Sequence, residues 1–499
     1  MGGQLVPEDS VPSAAPLDLA VPWAQARVLV AGLGVSGRAA VQALRDAAKV
    51  ASVVTVDRSA PDADAQDESG VDLSQVDLVV ASPGWAPSSA LLVAARAAGV
   101  PVWSEVELAW ALRVPRADGS FAPWLAVTGT NGKTTTVEML ASILSAAGLR
   151  TAAVGNVGTP VVVAALDPGL DVLAVELSSF QLHFTHSMSV QAGAVLNIAA
   201  DHLDWHGSLE AYAADKGRVY ERAQVACVYN VADPRTEHLV READVLEGAR
   251  AIGFTVGAPA RAQLGVIEDV LVDRAFHAAP DDPARHRSAQ ELATFADLAH
   301  LAGPGGTVPV HVVADALAAA ALARAHGVSA QAVREGLRAF RPGAHRIQRV
   351  ATVDGVTYVD DSKATNPHAA SASLGAYEPG SVVWIAGGLA KGATYDELVR
   401  ARLSRLRAVV LIGADPAPIE GALARHAPDV PVVRVDPGDT GTVMQRAVER
   451  ARDLAVPGDT VLLAPASASM DQFTSYAARG EAFAQAARSL VGAETTLGG

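Results

Sequence analysis

Cysteine is almost missing from this chain: Cys227 is the only one in 499 residues. A lone thiol excludes an intramolecular disulfide, and it reads as a small core residue of a protein kept in the reducing cytoplasm. Basic runs are missing too. Lys and Arg number 39 against 54 Asp and Glu, a net charge of −15, so nothing favours a nucleic-acid or anionic-membrane partner. Small anions held by local cations suit such a surface better. No apolar run is long enough to cross a bilayer. The best suspect, Val312 to Ala325, contains Asp315 and Arg324 and falls short of the ~20 residues a span needs, which predicts a buried helix and no membrane insertion. The first 22 residues lack the basic start and apolar centre of an export signal. Pro7, Pro12, Pro16 and Pro22 among Glu8, Asp9 and Asp18 read as a disordered leader.

What remains is an α/β chain of about three domains by the length prior. Apolar strands alternate with helices from Arg27 to Leu112: Arg27 to Ala31, a helix from Ser36, Val53 to Val56, Leu78 to Ala81, and a helix from Leu91. This outlines a doubly wound, Rossmann-like sheet. Pro115 to Pro123 looks like a linker. A longer unit with strands Val172 to Val175 and Ala194 to Asn197 runs to about Arg341, and the irregular stretch Arg261 to Gly306 reads as a peripheral excursion. After Arg341-Pro342-Gly343, four apolar runs (Val382 to Ala386, Ala408 to Gly413, Pro431 to Val435, Thr460 to Ala464) predict a C-terminal doubly wound α/β domain with a parallel sheet. The expected division is 1–22 leader, 23–121, 122–342 and 343–499.

The densest chemical signal is Val127-Thr-Gly-Thr-Asn-Gly-Lys-Thr-Thr135, between a short strand and a helix that closes at Gly148. Glycines there let backbone N–H groups turn inward around phosphate oxygens. Lys133 neutralises the β- and γ-phosphates, and the Thr134 hydroxyl can ligate Mg²⁺, so the central domain is of P-loop ATPase type with a parallel sheet. Val127 stands where the common eight-residue pattern has its first glycine, which favours a family with a shortened loop over a generic nucleotidase.

Other constellations lie at strand ends. Gly32-Leu-Gly-Val-Ser-Gly37 with Asp57 is a dinucleotide-type fingerprint that any nucleotide diphosphate could use. Ser82-Pro83-Gly84 is either a second ligand turn or a structural one. Glu176, ending a buried strand beside the phosphate loop, is where a magnesium ligand is expected. Asp201, His202, Asp204 and His206 follow the next strand, and are loop residues or part of a metal and phosphate site. Lys216 sits in an expected helix, where a lone lysine is ordinarily solvated. His345-Arg346 and Asp360-Asp-Ser-Lys-Ala-Thr-Asn366 suit a nucleotide on one side and an amino-acid carboxylate on the other. Ala464 to Phe473 is expected to start a helix whose free N–H groups form a further anion site.

With these residues in place the chain resembles the Mur ligase family. The marks are Gly-Thr-Asn-Gly-Lys-Thr at 129–134, Glu-Leu-Ser-Ser-Phe-Gln-Leu at 176–182, Asp201-His202, Asp-Ser-Lys-Ala-Thr-Asn at 361–366 and Ser-Met-Asp-Gln-Phe at 469–473. The resemblance implies an ATP-dependent ligase of peptidoglycan precursor synthesis that joins D-glutamate to UDP-N-acetylmuramoyl-L-alanine. It gives Gly129, Thr130, Asn131, Gly132, Lys133, Thr134, Thr135, Arg346 and Asp361 to ATP. It gives Val35, Ser36, Asp57, Arg58, Gly84, Asn156, Ser178 and Gln181 to the UDP substrate, and Lys363, Thr365, Lys391, Ser469 and Tyr476 to D-glutamate. Two Mg²⁺ sites are implied on Thr134, Glu176, His202 and Lys216, the lysine as a carbamate; Lys133, Glu176, His202 and Lys216 would carry the catalysis, in an expected monomer that closes its domains for reaction. Departures stand out. His311-Val-Val-Ala-Asp315 replaces His-Asn-x-x-Asn, Leu389 stands where some relatives have aspartate, and Tyr476 replaces a phenylalanine.

Three other readings compete. A sister ligase or folate polyglutamate ligase would share the phosphate loop and Glu176, and is distinguished by Lys363 in 361–366. An NAD-dependent oxidoreductase would use Gly32 to Asp57 but leave residues 129–134 idle. A non-catalytic binding protein would release no phosphate.

Overall fold

Three sheets organise the molecule in a computed structural model that describes residues 19, 21–279, 281–303 and 306–494. Residues 1–18 and 20 of the expected leader lie outside the described residues, while Leu19 and Val21 pack, partly buried, on the neighbouring core. The first sheet holds β1 (Arg27–Ala31), β2 (Ser52–Val56), β3 (Leu78–Ala81) and β4 (Val102–Ser104) in the order β2-β1-β3-β4, all parallel. Runs such as Val28-Leu29-Val30 are buried because helices cover both faces, as parallel sheets require.

The central sheet carries the phosphate loop. Its strands are β5 (Trp124–Thr128), β6 (Thr151–Gly155), β7 (Val172–Glu176), β8 (Ala192–Val195), β9 (Ala226–Asn230), β10 (Arg250–Phe254), β11 (Gln263–Ile267), β12 (Val270–Asp273) and β13 (Gln290–Thr294), in the order β13-β12-β11-β10-β9-β8-β5-β7-β6. Here the expected irregular excursion is corrected: β11 joins β10 in parallel, and β12 and β13 extend the sheet by antiparallel pairing. Four- and five-residue strands with only two or three buried apolar residues each carry too short a period to register as a pattern.

The suspect apolar stretch is a buried helix, Val310–Ala325, against the helix that opens at Lys133. Among the described residues no helix is long and apolar enough to cross a membrane. The next helix, Ala330–Ala339, packs closely on that same Lys133 helix through Gly336, where a Cβ would meet Ile143 Cα at 2.3 Å. Cys227 is buried in β9, and burial pushes its thiol up to about 12.

The first and central sheets are welded together. They share one apolar cluster running from Val28, Val30 and Leu78 to Trp124, Leu173 and Val175. Buried Glu107 accepts from His186 N at 2.7 Å and Ser187 N at 2.9 Å, and buried Glu105 accepts from Val162 N at 2.6 Å. Burial raises the Glu105 carboxyl to about 7 against that backbone bond.

The third sheet holds β14 (Gln348–Val353), β15 (Val356–Asp360), β16 (Val382–Gly387), β17 (Leu406–Ile412), β18 (Val432–Arg434) and β19 (Thr460–Leu463), ordered β14-β15-β19-β16-β17-β18. It is parallel except for the hairpin β14–β15, whose turn Asp354-Gly355 has both residues at positive φ, the geometry a two-residue hairpin favours. After β19 the chain departs from expectation. The helix begins at Tyr476 rather than soon after Ala464, with Ala466 left-handed at φ 58°. Four of the intervening N–H groups are engaged within the protein: Ala466 N with Ala364 O, Ala468 N with Leu389 O, and Gln472 N and Phe473 N with Ser469 O. The expected helix-terminus anion site is therefore absent from that segment.

Candidate active site

The loop after β5 turns on Gly129 (φ 152°) and Gly132 (φ 84°), values an L side chain rarely adopts. A Cβ on Gly132 would lie 2.4 Å from Asp315 Oδ1. Lys133 opens the following helix and folds back over the loop, its Nζ donating to Gly129 O and Thr130 O at 2.9 Å each. Buried Lys216, from the last turn of the helix Leu209–Gly217, donates to the same Gly129 O at 2.9 Å. The solvated-lysine reading of Lys216 thus fails, because the helix end returns to the loop 87 residues away. Burial lowers the Lys133 amine, with Glu176 and Asp201 opposing. Burial, then the Lys133 charge, holds Lys216 well below the usual lysine range.

Glu176 ends β7 at 1 % exposure. Its Oε1 accepts from Asn156 Nδ2 at 2.8 Å, and its Oε2 is buried without a hydrogen-bond partner among the described residues. A buried carboxylate oxygen left unpaired is costly unless something cationic completes it. His202, left-handed at φ 53°, lies edge-on to Phe180. Burial lowers its imidazole; Asp201 opposes this, and the charges of Lys391, Lys216 and Lys133 reinforce it. Among the described residues no three His, Cys, Asp or Glu are grouped to hold a metal. A cation here would draw on a hydroxyl, one carboxylate, one imidazole and Lys216.

The C-terminal sheet supplies the facing wall. Lys363 Nζ donates to Thr134 Oγ1 at 2.7 Å, and Asn366 Nδ2 donates to Asn131 Oδ1 at 3.0 Å. Burial, then Arg346, lowers the Lys363 amine to about 8, and its Nζ lies 5.2 Å over the Tyr476 ring. Arg346 reaches back to Glu138 at 2.6 and 3.3 Å. Asp361 accepts from Ile347 N at 3.4 Å, and burial raises its carboxyl to about 7. Thr365 sits one turn beyond Lys363, its N–H on Lys363 O at 2.8 Å; Ser469 is buried; Lys391 is exposed and left-handed at φ 49°.

The other predicted residues form separate groups. Asp57 ends its strand as a backbone clamp: Oδ2 accepts from Leu33 N at 2.6 Å and Oδ1 from Ser59 N at 2.7 Å, the Leu33 bond foremost in lowering its carboxyl. Val35 (73 % exposed) and Ser36 begin the adjoining helix, Arg58 pairs with Glu68 at 3.4 Å, and a Cβ added to Gly84 would meet open space. Ser178 and Gln181 are buried in a capping box of the helix Ser179–His183. The Ser-x-x-Gln spacing was a visible cue to that role.

Sequence reasoning missed several members. Tyr212 OH lies 3.1 Å from Thr130 Oγ1. Asn197 pairs with the Asn131 backbone in both directions at 2.9 and 3.1 Å. Asp315, seen only as a departure, is buried against the loop and raised to about 8 by burial, with Thr136 and Arg346 opposing. Buried Arg479 ties Ser362 to Ser467.

The chain is similar to known proteins. The profile of the Mur ligase middle domain matches residues 127–322, and that of the Mur ligase glutamate ligase domain matches 345–467. The chain is 61 % identical to the UDP-N-acetylmuramoylalanine–D-glutamate ligase of Streptomyces avermitilis, covering 94 % of this chain and 99 % of that one. It is 60 % identical to the enzyme of the same name from Streptomyces coelicolor, covering 93 % and 98 %. The MurF ligase of Thermotoga maritima, solved in complex with ADP, shares the fold at a TM-score of 0.54 and 17 % identity over 89 % of this chain and 95 % of that one.

Proposed function

The chain belongs to the Mur ligase family, and from that premise we propose that it joins D-glutamate to UDP-N-acetylmuramoyl-L-alanine with ATP, in peptidoglycan precursor synthesis. The observation that carries this reading is the convergence on one loop of Lys133, Lys216, Lys363 and the half-satisfied carboxylate of Glu176. Three lysine side chains and one unpaired acid around a glycine-rich turn suit a transferring phosphoryl group and its metal.

A carboxylate is a poor electrophile, since its leaving group would be oxide. The alanyl carboxylate oxygen therefore attacks the γ-phosphorus of ATP, the bond to the bridging oxygen breaks, and ADP leaves. The amine of D-glutamate then attacks the acyl phosphate carbon, loses a proton, and expels phosphate as the amide forms. Lys133 exchanges its loop carbonyls for phosphate oxygens, and Lys363 lies within reach of the same group. The unpaired Glu176 Oε2 and the Thr134 hydroxyl fit Mg²⁺, which His202 and Lys216 would also hold, the lysine after its amine adds to CO₂ and releases a proton. When bound, Mg²⁺ supplies a Lewis acid that offsets charge on the phosphates. Burial that lowers the Lys216 amine favours its neutral, nucleophilic form, which supports the carbamate.

Asp57, Arg58, Val35, Ser36 and Gly84 take the UDP end, with Asn156 toward the muramoyl-alanine end; Ser178 and Gln181 shape that wall through the capping box. Arg346 and Asp361 face the nucleotide, and Lys363, Thr365, Lys391, Ser469 and Tyr476 the amino acid. The division at 23–121, 122–342 and 343–499, and a monomeric cytoplasmic enzyme, belong to the same proposal, supported by the single buried thiol of Cys227. The test is ATP-dependent phosphate release with UDP-N-acetylmuramoyl-L-alanine against a panel of amino acids. D-glutamate alone is expected to support turnover; preference for an L-amino acid or a diamino acid overturns the assignment.

A further inference from the structure

Behind Lys216 lies a buried polar chain that the proposed reaction does not use. Ser179 Oγ is 2.9 Å from His206 Nε2, and His206 Nδ1 is 2.9 Å from Asp215 Oδ2. His183 Nδ1 lies 2.9 Å from both Asp215 oxygens, and Arg218 Nε approaches the same carboxylate at 3.5 Å. The order hydroxyl, imidazole, carboxylate is that of an acyl-transfer triad. Access decides against that chemistry: Ser179 is 2 % exposed and the His206 side chain 0 %, so no carbonyl can reach the hydroxyl.

The chain instead ties three helices together. Ser179 and His183 come from Ser179–His183, His206 from Leu203–His206, and Asp215 from Leu209–Gly217, whose next residue is Lys216. The imidazole of His206 also packs. It stacks on Phe180 at 5.5 Å with an interplanar angle of 7°, and meets Tyr212 edge-on at 5.1 Å. Tyr212 in turn carries the Lys216 Nζ 4.5 Å over its ring and contacts Thr130 of the phosphate loop through its hydroxyl. One ring, fixed at both nitrogens, thus sets the tyrosine that lies between it and Lys216 and touches the loop.

We propose that His206, clamped between Ser179 and Asp215, is a positioning residue that acts through Tyr212 and Asp215 to hold Lys216 against the phosphate loop. This rests on the proposed role of Lys216 as a carbamate. Each ring nitrogen has one partner, which fixes ring orientation as second-layer bonds do at metal ligands.

The test uses the full-length protein with carbon-13 bicarbonate. His206→Phe keeps the ring stack and removes both nitrogens, Asp215→Asn keeps the shape of the anchor, and Ser179→Ala deletes one hydroxyl. In the wild type a carbamate resonance is expected that Lys216→Ala abolishes. In His206→Phe and Asp215→Asn that resonance falls about fivefold or more, and kcat falls about tenfold with the KM for ATP within about twofold. Ser179→Ala shows a smaller loss of both, and it carries the test should the other two fail to fold. A wild-type resonance and kcat in variants that melt cooperatively overturn the positioning role alone. Absence of any resonance from the wild type overturns the Lys216 reading and this one with it.

Discussion

Lys363 Nζ donates to Thr134 Oγ1 over 2.7 Å, so the C-terminal sheet touches the very hydroxyl that suits a magnesium ligand. Two cations in contact with one oxygen repel each other, and MgATP must displace the ammonium on entry. Lys363→Ala is therefore expected to leave the MgATP dissociation constant unchanged, or to tighten it up to about threefold. Its kcat should fall by about 10² to 10³, the scale of losing one preorganised partner of the reacting group. Nucleotide binding weakened with kcat intact would assign Lys363 to ATP affinity instead. Calorimetric titration beside phosphate-release kinetics separates the two.

Asp315 packs against Gly132, and burial raises its carboxyl to about 8. Between the unfolded carboxylate range and that value the folded state holds a proton that the unfolded chain has released. Stability from this group is thus full at low pH and falls as pH rises toward 8. Asp315→Asn is isosteric and cannot titrate, so its stability curve between pH 5 and 8 should lose up to about 1.4 kcal/mol per pH unit of slope. Glu105 and Asp361, both raised to about 7 by burial, contribute slopes of the same sign in either protein. The difference between the two urea-denaturation series isolates Asp315, and parallel series would show that its carboxyl is ionised throughout.

Arg346 crosses from the C-terminal sheet to Glu138 on the phosphate-loop helix at 2.6 and 3.3 Å, with side chains only 14 % and 29 % exposed. The residues on either side, His345 and Ile347, are held at positive φ, a strained setting that aims the guanidinium. A partly desolvated pair between domains couples by about 1 to 2 kcal/mol. Glu138→Gln is expected to raise the KM for D-glutamate about fivefold while leaving thermal stability near the wild type, because closure loses a contact and the cores do not. Small-angle scattering should show a more extended average shape, and an unchanged profile with unchanged KM would count against a latch.

The phosphate loop was legible because its chemistry is local: strand, glycines, lysine and helix lie within about a dozen residues, and each constrains the next. Buried parallel strands were legible for the same reason, as unbroken apolar runs. Features that depend on chain return were not. Lys216 reads as solvated until the helix end is seen against Gly129, and His206 reads as a loop residue until Phe180 covers it. Short antiparallel strands at the sheet edge bury too little to show a period, and Ala466 at φ 58° delays a helix that local propensity would have started at once. Ser178 and Gln181 carried a readable capping-box spacing, which the helix Ser179–His183 uses, and their substrate role stays part of the proposal.

Arg479 is 1 % exposed, and its guanidinium donates to Ser362 Oγ at 3.0 Å, Ser362 O at 2.9 Å and Ser467 O at 3.1 Å. It joins the loop that carries Lys363 to the loop after β19, with burial lowering it to about 10 against the charges of Asp471 and Asp360. Close packing allows no other route, since a Cβ on Gly388 would meet Ala468 O at 2.2 Å and Arg479 itself at 3.2 Å. Lysine cannot reproduce a planar fork that serves three oxygens. Arg479→Lys is expected to cost about 2 to 4 kcal/mol of stability, because carbonyls and a hydroxyl lose donors in a buried setting. The same change should raise the KM for D-glutamate more than that for ATP, because Lys363 and Ser469 lie on the joined loops while the phosphate loop lies on another sheet. Thermal melts and paired KM measurements check both parts, and a stable variant with an unaltered KM for D-glutamate would remove Arg479 from the support of that site.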